Sequence, residues 1–127
     1  MSTNGSPIIL AVDDDSTILR LIEKSLSDAG YRVLPAGGGR AAIEAFERCD
    51  EPVHLLLTDV IMPDLTGPVV AERLRGRQPD LPVLFISGFH DADLVQRFVS
   101  RKGFTLLPKP FSVKALLRVV ENSIAGR

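Results

Sequence analysis

The stretch Leu55-Leu56-Leu57-Thr58-Asp59 runs three leucines and a threonine straight into a carboxylate, and Val60-Ile61-Met62-Pro63-Asp64 and then Gly67 follow. A continuous apolar run of this length reads as a strand buried on both faces, as in a parallel sheet. Pro63 and Gly67 mark an exit loop. Asp59 then falls at the carboxyl end of a central strand, where open α/β sheets place their ligands. Three further runs repeat the arrangement. Ile8-Ile9-Leu10-Ala11-Val12 ends in Asp13-Asp14-Asp15, Val83-Leu84-Phe85-Ile86 ends in Ser87-Gly88, and Thr105-Leu106-Leu107-Pro108 ends in Lys109-Pro110. Strand after strand delivers a polar group to one rim, with Asp59 at its centre.

Between the strands the apolar spacing turns helical. A helix is expected over residues 16–29, with Ile18, Leu19, Ile22 and Leu26 inward and Gly30 as its stop. A second, over 40–48, follows an outer strand at 31–36 and a turn at Gly37-Gly38-Gly39, with Ala42, Ile43 and Phe46 inward. A third runs from Gly67 or Pro68 to Arg77, with Val69, Val70 and Leu74 inward and proline in its first turn. A fourth, over 91–100, buries Leu94, Val95, Phe98 and Val99. The last, over 113–123, has Ser112 as N-cap and Leu116, Leu117 and Val120 inward. Five β-α units call for right-handed crossovers and a parallel sheet covered on both faces. The expected fold is a flavodoxin-like, doubly wound (βα)5 domain with strand order 2-1-3-4-5, spanning 7–127 after a flexible arm at 1–6. In that order the first strand and the Asp59 strand are neighbours, and Asp13, Asp14 and Asp59 converge.

The bulk properties fit one soluble domain. The 127 residues are 45% hydrophobic and 24% charged, with a net charge of −1. That balance offers no general attraction to nucleic acid or to an anionic membrane. No apolar run approaches the ~20 residues of a membrane span, and the first residues lack the pattern of a signal peptide. The single cysteine, Cys49, provides no internal disulfide and suits a reducing cytoplasm.

Three carboxylates within a few ångströms repel one another unless protons or a cation join them. Oxygen-only donors favour a hard cation, and Mg²⁺ (or Mn²⁺) suits a site of few carboxylates, water and a phosphate oxygen. Lys109 adds a mobile positive charge and Ser87 a hydroxyl. A carboxylate, a divalent ion, an ammonium and a hydroxyl are the parts needed to move a phosphoryl group onto Asp59.

These residues, in this order, resemble the receiver domain of two-component response regulators over nearly the whole chain. The matching pieces are Asp13-Asp14, Asp59 with Met62-Pro63 and Gly67, Ser87, and Lys109-Pro110-Phe111. The resemblance implies that Asp59 accepts a phosphoryl group from a sensor histidine kinase or phosphotransfer domain. It implies that Asp13 or Asp14, Asp59 and the Ile61 carbonyl hold Mg²⁺, with Asp14 the firmer ligand. Ser87 and Lys109 would bind the phosphoryl oxygens, Gly88 and Leu106 would belong to the switch, and the Lys109–Pro110 bond would be cis. The signal would pass to the face made by the 91–100 helix, the last strand and the last helix. That face would meet an unknown downstream protein, and a weak homodimer could form through it. Leu106-Leu107-Pro108-Lys109-Pro110-Phe111-Ser112 resembles most the receivers at the C-terminal end of hybrid sensor kinases. The chain is expected to be either a stand-alone receiver or part of such a kinase.

Two positions depart from the family pattern. Leu106 stands where Tyr or Phe is common, so switching is expected to use the loop 87–90 more than a ring flip. Phe104, on the same side of the strand by period two, is a candidate for the missing packing. Ile61 gives apolar cover where a polar side chain would help a hydrolytic water, so self-dephosphorylation is expected to be slow.

Several of these features also have plainer readings. Asp15 reads as helix-start chemistry rather than a ligand. Gly37-Gly38-Gly39 lacks the Gly-Lys-Ser/Thr ending of a phosphate loop and reads as a turn. His54 and His90 share no metal-ligand spacing. Arg73, Arg75 and Arg77 read as a solvated helix face. A Mg²⁺-dependent aspartate-nucleophile phosphatase lacks its partner acid, since Ile61 stands two residues past Asp59. An FMN binder would set its phosphate against Asp13-Asp14. A degenerate receiver, acting only as a protein-binding module, would not need the full set Asp13, Asp14, Asp59, Ser87 and Lys109.

Overall fold

The computed structural model describes residues 5–88 and 103–125. Its strands are β1 (Ile8–Val12), β2 (Arg32–Ala36), β3 (Leu55–Asp59), β4 (Val83–Ser87) and β5 (Phe104–Pro108). Its helices are α1 (Ser16–Asp28), α2 (Gly39–Arg48), α3 (Gly67–Arg77) and α4 (Val113–Ala125). The helix expected over 91–100 lies outside the described residues. The strands form one parallel sheet in the order β2-β1-β3-β4-β5.

Burial explains the composition of each strand. β1, β3 and β4 are buried at every position, which is why they read as unbroken apolar runs. The edge strands β2 and β5 mix buried, half-buried and exposed residues. Alternate strand residues feed two cores. Leu10, Val12, Leu56, Val83 and Phe85 join Ala42, Val70, Ala71 and Leu74 on one face. Ile9, Ala11, Leu55, Leu57, Leu84 and Ile86 join Ile22, Leu26, Leu116 and Val120 on the other.

The helix boundaries follow local chemistry. Asp15 caps α1, accepting from the backbone N–H groups of Thr17 and Ile18. The chain leaves α1 through Gly30 at φ +100°, a conformation that favours glycine. Thr66 caps α3 with Pro68 in its first turn, and Ser112 accepts from Ala115 N–H at the start of α4.

Two expectations are corrected. Val69 is 40% exposed instead of facing inward. The buried stripe of α3 is Gly67, Val70, Ala71 and Leu74, the 3- and 4-residue spacing of one helix face, and Val69 falls off it. Arg75 is not part of a solvated face. Its Nε donates to Leu81 O at 2.9 Å, and its guanidinium lies 4.1 Å from the centre of the Phe104 ring, which stacks on Phe85 at 5.8 Å. Phe104 fills the core at the start of β5, opposite Val83, and so does not reach the Lys109 end of the strand. Arg77 pairs with Glu47 at 3.6 Å.

Candidate functional site

The sheet register builds the site. Val12 pairs with Thr58, Asp59 with Ile86, and Ser87 with Pro108. The residues one step beyond these strand ends therefore meet on one rim. Backbone hydrogen bonds carry the ladder past the strands and hold them there. Asp13 N–H donates to Ala36 O at 3.2 Å, Val60 N–H to Ile86 O at 3.2 Å, and Lys109 N–H to Ser87 O at 2.8 Å. The Lys109–Pro110 peptide bond is cis.

Asp13, Asp14 and Asp59 each bring a carboxylate oxygen within 4.8 Å of the others. Asp13 is fully buried, Asp59 is nearly so, and Asp14 is exposed at the mouth. One oxygen of each buried carboxylate is held by backbone. Asp13 Oδ1 accepts from Asp15 N–H, and Asp59 Oδ1 from Val60 N–H, both at 2.9 Å. The second oxygens face Lys109. Its Nζ lies 3.3 Å from Asp59 Oδ2 and 3.6 Å from Asp13 Oδ2. The longer distance is beyond a hydrogen bond, and Asp13 Oδ2 is a buried oxygen with no hydrogen-bond partner among the described residues.

The electrostatics follow from burial. Desolvation raises the pKa of Asp59, the Asp13 charge raises it further, and Lys109 opposes both without cancelling them. Desolvation likewise raises Asp13, against the Asp15 N–H bond and Lys109. Burial alone would lower Lys109, but the Asp13 and Asp59 carboxylates outweigh it and hold the ammonium above its ordinary value. Two buried carboxylates share one lysine, which leaves a net negative pocket. An orphaned buried oxygen among hard oxygen donors fits a divalent cation such as Mg²⁺.

The other expected site residues lie around this centre. Ser87 is buried at the end of β4 and its hydroxyl donates to Gly88 O at 3.0 Å. Leu106, half-buried in β5, pairs with Phe85 and packs on the core. Ile61 is 50% exposed beside Asp59. His54 is structural: its Nδ1 accepts from Ile8 N–H at 3.0 Å, and its own N–H donates to Ile8 O. His90 lies outside the described residues.

The structural roles of two residues near the site, Gly67 and Asp64, go beyond what the sequence indicates. Gly67 N–H donates to Val60 O at 2.7 Å, and a Cβ at Gly67 would lie 2.4 Å from Asp59 O. The glycine is therefore needed for α3 to start against the end of β3. Asp64 reaches across to α2, where its carboxylate accepts from Gly39 and Arg40 N–H at 3.0 and 2.9 Å. The Gly-rich turn and the Pro63-Asp64 pair were both visible in the chain, but nothing local ties positions 25 apart.

An acidic cluster bridged by one lysine, at the switch point of a 2-1-3-4-5 parallel sheet, defines a flavodoxin-like signalling domain of the chemotaxis-regulator type. The chain belongs to the response regulator receiver domain family, which it matches over residues 9–121. It is 34% identical over 116 residues to the response regulator receiver protein CpdR of Brucella abortus, covering 91% of this chain and 95% of that one. It is 31% identical over 121 residues to the sensor kinase CckA of the same organism, covering 95% of this chain but 13% of the kinase. The chain thus spans about the length of CpdR and a small part of CckA. Among solved structures, a Clostridium thermocellum receiver domain superposes with a TM-score of 0.86 at 28% identity, covering 94% of each chain. The receiver domain of the hybrid histidine kinase CckA superposes at 0.75 with 33% identity, covering 92% of this chain and 98% of that one. No helix among the described residues is long and apolar enough to cross a membrane.

Proposed function

We propose that the domain, taken as residues 7–127, is a phospho-acceptor switch in which Asp59 receives a phosphoryl group from a phosphohistidine. The donor is a sensor histidine kinase or a phosphotransfer domain, and similarity to the CckA receiver supports that class of donor. The observation that carries the reading is the environment of Asp59. One oxygen is fixed by Val60 N–H and the other is turned to Lys109, beside a second buried carboxylate with an unbonded oxygen.

In the transfer, an Asp59 carboxylate oxygen attacks phosphorus in line, the P–N bond breaks, and its electron pair returns to the imidazole nitrogen. Asp13, Asp14, Asp59 and the Ile61 carbonyl would hold Mg²⁺ or Mn²⁺, which when bound would supply charge neutralisation for the phosphoryl oxygens. Lys109 exchanges its contact with Asp59 Oδ2 for a phosphoryl oxygen, as a point donor on a flexible stem can. The Ser87 hydroxyl leaves Gly88 O and donates to a second phosphoryl oxygen. The new aspartyl phosphate adds about two negative charges, which the loop from Ser87-Gly88 and the last strand must accommodate. The domain catalyses only its own phosphorylation and slow dephosphorylation.

A titration of the ¹⁵N-labelled domain with beryllofluoride tests this. Mg²⁺-dependent shifts at the amides of Val60, Ser87, Gly88 and Lys109, absent from Asp59→Asn, are expected. Equal shifts without Mg²⁺, or in Asp59→Asn, would contradict it.

A further inference from the structure

The helix α2 lacks a cap of its own. Its N-cap residue is Gly38, which has no side chain to offer the first N–H groups of the helix. The capping oxygens come instead from the loop that leaves Asp59. Asp64 Oδ1 accepts from Gly39 N–H at 3.0 Å and from Leu65 N–H at 2.8 Å, and Oδ2 accepts from Arg40 N–H at 2.9 Å. The glycine turn is shaped to receive this loop. A Cβ at Gly38 would lie 3.3 Å from both Asp64 oxygens, and a Cβ at Gly39 would lie 2.6 Å from Leu65 Cβ and 3.0 Å from Val70 Cγ2. The anion held by this glycine-rich turn is therefore the protein's own.

The loop is secured at three points. Gly67 N–H closes it onto Val60 O, Met62 is buried in the core, and Asp64 ties its outer part to α2. Ile61 lies inside this span, with its side chain half exposed. We propose that Asp64 is a positioning residue for the metal site: its carboxylate, bound at the start of α2, holds the 60–67 loop so that the Ile61 carbonyl stays available to the cation at Asp13, Asp14 and Asp59. This rests on the metal-dependent reading above. It adds a residue that touches neither cation nor phosphoryl group and acts through the loop. The depressed Asp64 pKa, about 2 under its backbone N–H bonds, agrees with a carboxylate that stays ionised throughout the working range.

The experiment separates a tether from a helix cap. Labelling by acetyl phosphate is followed against Mg²⁺ concentration in wild type, Asp64→Ala and the double variant Asp64→Ala/Gly38→Ser. Gly38 has extended backbone at φ −179°, so a serine there can cap α2 locally once the Asp64 carboxylate is gone. Asp64→Ala is expected to raise the half-saturating Mg²⁺ concentration about tenfold, the lower range for partners that orient metal ligands, with the labelling rate at saturating Mg²⁺ unchanged. The double variant is expected to recover the Tm of wild type but keep the raised Mg²⁺ requirement. Unchanged Mg²⁺ half-saturation in Asp64→Ala, or its recovery together with Tm in the double variant, would make Asp64 a helix cap alone and overturn the proposal. If Asp64→Ala does not fold, Asp64→Asn, which keeps one acceptor, is read the same way with a smaller rise. Failure of wild type to label with Mg²⁺ would instead overturn the metal-dependent reading beneath it.

Discussion

Lys109 Nζ stands 3.3 Å from Asp59 Oδ2 and 3.6 Å from Asp13 Oδ2, so one ammonium serves two buried carboxylates. Removing it leaves both without a cationic partner among the described residues. Lys109→Ala is expected to destabilise the metal-free domain by about 1–2 kcal/mol, less than a fully buried pair because the lysine is partly exposed. Urea unfolding measures this, and saturating Mg²⁺ should recover part of the loss. An unchanged urea midpoint would mean that the contact contributes nothing to the resting state.

The same imbalance sets a pH dependence. Burial holds the Asp13 pKa above its ordinary 3.8. Between that value and the folded one, the folded protein binds more protons than the unfolded chain, so stability falls as pH rises. Asp13→Asn should therefore raise the Tm of the metal-free domain at neutral pH by several °C, on the scale of about 1 kcal/mol. The gain should vanish near pH 3, where the wild-type carboxyl is protonated, and should shrink in Mg²⁺. A lower Tm for Asp13→Asn at neutral pH without metal would contradict the sign.

Ile61 places an exposed apolar side chain beside Asp59. Ile61→Asn gives an attacking water a hydrogen-bond partner, and decay of the phosphorylated domain is expected to quicken several-fold. Decay followed by intact mass checks it, and an unchanged half-life would show that water access is set elsewhere.

Leu106 packs on the core across from Phe85, and Phe104 is held between Phe85 and Arg75 at the start of the strand. Phe104 lies too far from the Lys109 end to swing there, and Leu106 carries no ring to turn. Methyl NMR should show small shifts at Leu106 on beryllofluoride binding, beside larger amide shifts at Ser87 and Gly88. A rotamer change at Leu106 would sink this account of the switch.

Gly67→Ala would set a Cβ 2.4 Å from Asp59 O and 3.2 Å from Val60 Cα, both backbone atoms. The expected loss is at least about 2 kcal/mol, in the range of overpacking and backbone strain. Thermal unfolding reads it directly, and a Tm within a degree of wild type would show that the β3–α3 junction is more pliable than its geometry.

What was legible in the chain followed from burial. A strand covered on both faces cannot hide among polar neighbours, so Ile8–Val12, Leu55–Asp59 and Val83–Ser87 announced the sheet, and their polar ends announced the rim. The convergence of Asp13, Asp14, Asp59 and Lys109 needed only the strand order. Val69 misled because it is as apolar as its neighbour Val70 but lies about 100° further round the helix, off the stripe of Gly67, Val70, Ala71 and Leu74. Arg75 misled because a long cationic side chain at a helix end can fold back over a ring instead of entering solvent. Asp64 was silent because its partners lie 25 residues away on another helix, where neither spacing nor propensity carries a signal.

The most direct test of the central claim is intact-mass analysis after incubation with acetyl phosphate and Mg²⁺, with Asp59→Asn alongside. A single phosphoryl addition in wild type, absent from Asp59→Asn and from Mg²⁺-free samples, is the predicted result. Equal addition in Asp59→Asn, or addition independent of Mg²⁺, would contradict the assignment of Asp59 as the phospho-acceptor of a metal-dependent switch.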